Sequence, residues 1–165
     1  MLLLIQAFFE PSKDINFITR YTYGENQVRI VEVNSKNTNV VFESPDNDEG
    51  VIMCGGKYFN ENFDVNQEGD HLYINSKAQS DSHAEEVTFM LPLYFENKVS
   101  FIVKVKDANV DFTRKVNLED ISCEVVNGDI TGESLKANKA VLKVDSAHEV
   151  LLKEIDAKEE VIGNI

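Results

Sequence analysis

The chain has 165 residues, enough for one domain with a real core, and 42% of them are hydrophobic against 27% charged. Sixteen Lys and Arg against 29 Asp and Glu leave a net charge of −13. Phosphate recognition and docking on anionic lipid both need a basic surface, so this balance excludes a nucleic-acid binder and a binder of acidic membranes.

The first apolar run, Leu2 to Phe9, is interrupted by Gln6 and followed by Glu10 and Pro11. It falls far short of the roughly 20 residues of a membrane-spanning helix. No Lys or Arg precedes it, so it makes a poor secretion signal and reads as a first strand or docked helix, with a remnant of a targeting segment as the alternative. Thereafter two-residue alternation dominates. Val28, Ile30 and Val33 mark a strand, with Val31 on the other face or at an irregularity, and Asn39 to Glu43 and Val51 to Met53 read as further strands. Between them, Ser44 to Gly50 reads as a turn. Phe63 and Val65 alternate, as do Leu72 and Ile74, and Gln67-Glu68-Gly69-Asp70 between them marks a hairpin with Gly69 at positive φ. Residues 76–86 read as an exposed loop. Val87, Phe89 and Leu91 alternate up to Pro92, and Phe101, Val103 and Val105 alternate again.

From about residue 104 the chain repeats itself. Lys106-Asp107-Ala108-Asn109-Val110, Val126-Asn127-Gly128-Asp129-Ile130 and Asp145 to Val150 align, so that aliphatics recur at 110, 130 and 150. Leu135-Lys136-Ala137 and Ile155-Asp156-Ala157 keep the same spacing, with Leu118 standing 17 residues before Leu135. A 20-residue unit of short strands and small polar corners suits one coil of a β-solenoid, with coils stacked about 4.8 Å apart. Stacking would place Val110, Ile130 and Val150 in one inward column, and Gly128 at a corner would supply a positive φ. The fold expected is therefore all-β and continuous over 1–165. A sheet and hairpin part (1–100) runs into a short single-stranded β-solenoid, β-helix-like, with coils of about 20 residues (101–165). An antiparallel β-sandwich is the alternative.

Glu124 to Ile130 followed by Ser134-Leu135-Lys136-Ala137 resembles the repeat of the bacterial "putative adhesin" family of β-solenoid domains. Val28 to Asp46, Phe63 to Ile74 and Val87 to Pro92 are similar to that family's opening strands, hairpin and Leu-Pro strand, so the resemblance spans residues 25–165. The third unit departs from it, with Ala147-His148-Glu149 where Ser/Asn-Gly-Asp is expected. The resemblance implies a non-catalytic binding or scaffolding module of the bacterial cell envelope or surface, with no catalytic residue to carry over. Its partner would be a protein or a glycan. The chain stops a few residues into a further coil, so it is expected either to be a short member or to be a fragment. Its last coil (Val161 to Ile165) is expected to be covered by another copy or by further chain, because an uncovered edge leaves backbone groups unpaired. Without a recognisable leader or spanning helix, the location stays open. An intracellular or membrane-side scaffold of an envelope-stress pathway is the alternative to a surface module.

No constellation in the sequence points to chemistry, and catalytic, cofactor-binding and metal residues are expected to be none. Asp46-Asn47-Asp48-Glu49-Gly50 fails the EF-hand register, with Gly at position 5 and Lys57 at position 12. His71, His83 and His148 form no metal-binding pair. Ser80-Asp81-Ser82-His83 lies in a loop that cannot hold a triad's geometry. Gly55-Gly56 reads as a tight turn or bulge, with no helix pattern after it to make a phosphate loop. Cys54 and Cys123 read as buried free thiols. A polysaccharide-processing enzyme on a β-helix scaffold would use acidic pairs such as Glu119-Asp120 and Glu159-Glu160. It would also need basic residues on the substrate face, and residues 101–165 hold 9 basic and 13 acidic ones. Lys104, Lys106, Lys136, Lys139, Lys143, Lys153 and Lys158 are expected to interleave with those acids on an outer face.

Overall fold

In the computed structural model the described residues are 16–22, 28–43, 51–56, 59–77, 86–90 and 99–165. The initial apolar run, the turn at 44–50, the segment holding Ser80 to His83, and Pro92 lie outside them. The strands are β1 (Asn16–Thr22), β2 (Ile30–Lys36), β3 (Asn39–Glu43), β4 (Val51–Gly56), β5 (Phe63–Glu68), β6 (His71–Ser76), β7 (Glu86–Met90), β8 (Ser100–Lys106), β9 (Val110–Asn117), β10 (Asp120–Val126), β11 (Ile130–Val144) and β12 (Val150–Asn164). One helical turn, α1 (Phe59–Asn62), follows Gly55-Gly56, where the sequence carried no helix pattern.

All the strands belong to one curled, open sheet of order β1-β4-β7-β3-β9-β11-β10-β8-β2-β6-β5, with β12 added beside β11. The long β11 is the hinge of the path. Its first part, Ile130 to Lys136, pairs with β9, and its second part, Lys139 to Val144, pairs with β10. The sheet therefore divides into two wings that face each other. One wing carries β6, β2, β8, β10 and the second part of β11. The other carries β7, β3, β9 and the first part of β11.

The inward residues form rows across parallel strands. Val31, Phe101, Ile121 and Ala140 make one row, and Val33, Val103, Cys123 and Leu142 the next. On the opposite wing Val87, Val40, Val110, Ile130 and Val150 line up. Period-two alternation is what puts each of these side chains on one face of its strand. The wings meet through rings. Phe101 of β8 packs edge-on against Phe42 of β3 at 5.0 Å and Phe89 of β7 at 5.3 Å, and Phe42 stacks on Phe112 at 5.0 Å. Cys54 and Cys123 are free and buried, and burial pushes both thiols well above their ordinary pKa. This leaves them un-ionised and packed as small hydrophobes.

The column expected at 110, 130 and 150 is present, paired in parallel. An antiparallel sandwich would not pair these strands that way. The column also holds Val40 and Val87, which the 20-residue spacing does not reach. Three details differ from the sequence reading. The strand unit β2–β3 does not precede the repeats in space but sits between β6–β7 and β8–β9. Opposite Leu135 stands Val116, not Leu118, because the register shifts between Gly132 and Ser134. The corner residue with positive φ is Asn127 (57°), matched by Asn37 (60°) and Asp107 (58°), rather than Gly128. Asn and Asp tolerate this left-handed region because their short side chains hydrogen-bond locally. The hairpin turn does use glycine, with Gly69 at φ 62°.

Candidate functional site

The corners between the wings carry a hydrogen-bond ladder. Asn39 Oδ1 accepts the Asn109 N–H at 2.9 Å, Asn109 Oδ1 accepts that of Asp129 at 2.8 Å, and Asp129 Oδ1 accepts that of Glu149 at 2.9 Å. Equivalent side chains thus satisfy backbone donors where the chain turns and strand pairing stops. His148 sits on this ladder, with Nδ1 3.2 Å from Asp129 Oδ1 and Nε2 3.2 Å from Asn127 Oδ1. It fills the place left by the missing Asn-Gly-Asp and acts as a bracket between corners. His71 instead lies flat on Tyr73, ring centroids 4.1 Å apart, with Nε2 3.4 Å from Glu32. Neither histidine is joined by a metal-binding set among the described residues.

The backbone bond from Glu149 is the main reason the Asp129 carboxyl lies below its ordinary pKa; desolvation opposes it, and the hydrogen bond and charge of His148 add to the lowering. A depressed carboxylate stabilises the fold above its unfolded pKa of about 3.9, and that contribution is lost as pH falls through the lower folded value. Asp129→Asn keeps an acceptor, as Asn109 does one unit away, and removes the titration. Urea midpoints taken between about pH 5 and pH 2.5 should therefore fall less in Asp129→Asn than in the native protein. Parallel curves would contradict the assignment.

The acidic pairs do not converge. Lys139 stands between Asp120 and Glu159 in one cross-strand row, 3.9 Å from the Glu159 carboxylate. Lys153 likewise reaches Glu133 at 2.8 Å. This is the interleaving of Lys with acid expected on an outer face.

The edge strand β12 has Leu151, Val161 and Ile162 exposed, as is Ile165 just after it, and among the described residues it pairs only with β11. Glu160 stands opposite the buried Ala140 and so begins on the inward side. An inward carboxylate raises the cost of stacking a second copy on this edge.

A different feature gathers polar groups into a concave surface. On the outer side of the first wing, a shallow groove of about 440 Å³ is lined by Asn34, Lys36, Asn75, Ser76, Lys104 and Lys106, with Glu124 at its far side. Strand register builds it. Asn75, Asn34, Lys104 and Glu124 form one outward row, and Lys36 and Lys106 form the row two residues on. Neighbouring strands lie about 4.8 Å apart and same-face residues about 6.7 Å along a strand. Lys36 and Lys106 therefore sit side by side, with Lys104 one step away. None of these three lysines makes an ion pair with a described residue. Asn34 Nδ2 donates to Asn75 Oδ1 at 2.7 Å, which ties the two amides together and leaves Asn34 Oδ1 as an acceptor and Asn75 Nδ2 as a donor with no partner among the described residues. Ser76 Oγ accepts the Lys36 N–H at 2.9 Å, so its own proton remains available to donate.

Sequence reasoning named Lys104 and Lys106 only as members of a lysine ladder, and it passed over Asn34, Lys36, Asn75 and Ser76. Lys36 and Lys106 are 70 residues apart, and no local pattern signals that they adjoin.

No family model matches the chain, and no curated protein matches it in sequence. Among solved structures, a "putative adhesin" from Parabacteroides distasonis is similar at 10% identity, TM-score 0.49, over 93% of this chain and 71% of the other. A "putative cell adhesion protein" from Clostridium sporogenes is similar at 9% identity, TM-score 0.38, over 94% and 99%. A "putative adhesin" from Bacteroides fragilis is similar at 13% identity, TM-score 0.32, over 94% and 99%. Among the described residues no helix is long and apolar enough to cross a membrane.

Proposed function

We propose that this chain is a non-catalytic binding module of the adhesin type, associated with a bacterial envelope or surface. In this reading the 20-residue parallel registers are coils of a short β-solenoid, and the outer sheet face is the contact surface. The observation that carries the reading is the groove over β2, β6 and β8, lined by lysines that make no ion pair with a described residue and by a hydrogen-bonded pair of amides. The motif resemblance over residues 25–165 supports the same class. A groove this shallow encloses little, so affinity would come from shape and a few polar contacts rather than from a deep pocket.

The test is an array of cell-wall and host-matrix glycans, probed with the native protein and with the triple variant Lys36→Ala, Lys104→Ala, Lys106→Ala. All three lysines are exposed, so the variant should keep its melting temperature. The expected result is a set of glycans bound by the native protein and lost with the variant. Binding that is indifferent to the three substitutions, or no binding by either protein, would remove the groove as the contact surface.

A further inference from the structure

We infer that the groove recognises a saccharide ring bearing a single carboxylate, rather than a neutral sugar or a polyanion. The inference rests on the binding-module reading above and adds the class of ligand.

The charges in the groove are unevenly placed. Lys36 and Lys106 adjoin in one row, with Val126 next to Lys106 across the sheet. Lys104 instead has Glu124 as its direct cross-strand neighbour. An anionic group therefore gains most beside Lys36 and Lys106, while a second anion near Lys104 meets the Glu124 carboxylate. The chain's net charge of −13 adds long-range repulsion against anything heavily charged. One negative charge per ring is what this pattern accepts.

The uncharged side of the groove fits hydroxyls. Asn34 Oδ1 accepts and Asn75 Nδ2 donates, and their mutual hydrogen bond holds the two at a fixed spacing. An acceptor beside a donor matches neighbouring hydroxyls on a ring, each of which can do both. Ser76 supplies a further donor between the amides and the Lys36 end. The lysine row lies about 6.7 Å along the strands from the amide row, so a sugar ring whose hydroxyls lie over the amides holds its exocyclic carboxylate toward the lysine pair.

The probes are tri-galacturonate, its fully methyl-esterified and hence neutral counterpart, and heparin, each titrated calorimetrically at low and physiological salt. Tri-galacturonate should bind at least about tenfold more tightly than the ester, the effect expected for loss of a charge-assisted contact. Heparin should bind more weakly than tri-galacturonate. Lys36→Ala with Lys106→Ala should bring tri-galacturonate down to the level of the ester, and Asn34→Ala should weaken both. Equal binding of acid and ester, or tighter binding of heparin, overturns the acidic-sugar inference. If neutral array glycans are still lost in the groove variant, that result leaves the binding-module reading standing. Indifference of every probe to the lysine and Asn34 substitutions overturns both.

Discussion

Replacing Phe42 by alanine should cost about 3–5 kcal/mol, the range for deleting a large aromatic from a packed core. Phe42 is fully buried and touches three other rings: Phe89 at 5.4 Å and Phe112 at 5.0 Å, both stacked, and Phe101 edge-on at 5.0 Å. Two of these come from strands beside it, while Phe101 comes from the opposite wing. The substitution therefore opens a cavity where the two wings meet, and the surrounding rings cannot collapse into it without moving whole strands. A drop in melting temperature of roughly 10 °C is expected for a chain of this size. Phe42→Leu, which restores part of the volume, should recover some of the loss. A melting temperature within about 2 °C of native for Phe42→Ala would mean the wings do not depend on this contact.

Gly128→Ala should destabilise by about 1–3 kcal/mol, the cost of forcing extra volume into close packing. The reason is proximity, not backbone conformation. A Cβ at Gly128 would overlap the carbonyl oxygen of Ala108 in the neighbouring unit, and a backbone atom cannot swing aside. The Asp107 N–H bonds to Val126 O at 2.9 Å and Val110 N–H to Asp129 O at 3.0 Å, so the two corners are tied on both sides of the clash. Gly163 is the matched control, since a Cβ there meets nothing within 4 Å. Gly163→Ala should stay within about 0.5 kcal/mol of native in a urea titration. Similar midpoints for the two variants would show that the corners are not in close contact.

The candidate groove was less legible than the fold, and its residues show why. Lys104 and Lys106 are visible as an alternating pair on one strand, but a lone Lys-x-Lys is ordinary on an outer face. It becomes a groove only when Asn34 and Lys36 are laid beside it and Asn75 beside those, in registers offset by 70 and 41 residues. The acidic pairs illustrate the converse. Asp120 and Glu159 are unremarkable as separate acids, and strand register is what puts Lys139 between them.

Local pattern did determine much of the chain. Alternation located β6, β7 and β8 and their inward faces, because a pleated strand with one buried side must alternate. It did not reveal β1, it set Val31 on the wrong face of β2, and Val65 beside Phe63 is exposed. The hairpin at Gly69 followed from turn chemistry confined to four residues. The 20-residue period in the last 60 residues determined which of those strands would adjoin, since equal units stack in register with their neighbours. Tertiary structure decided the rest. The placing of β2–β3 between β6–β7 and β8–β9, the shift that sets Val116 opposite Leu135, and the demand for glycine at 128 all depend on contacts between strands remote in sequence. Alternation records which face of a strand is buried but not which strand lies beside it, and Phe42, Phe89, Phe101 and Phe112, remote in sequence, meet only in the folded arrangement of strands.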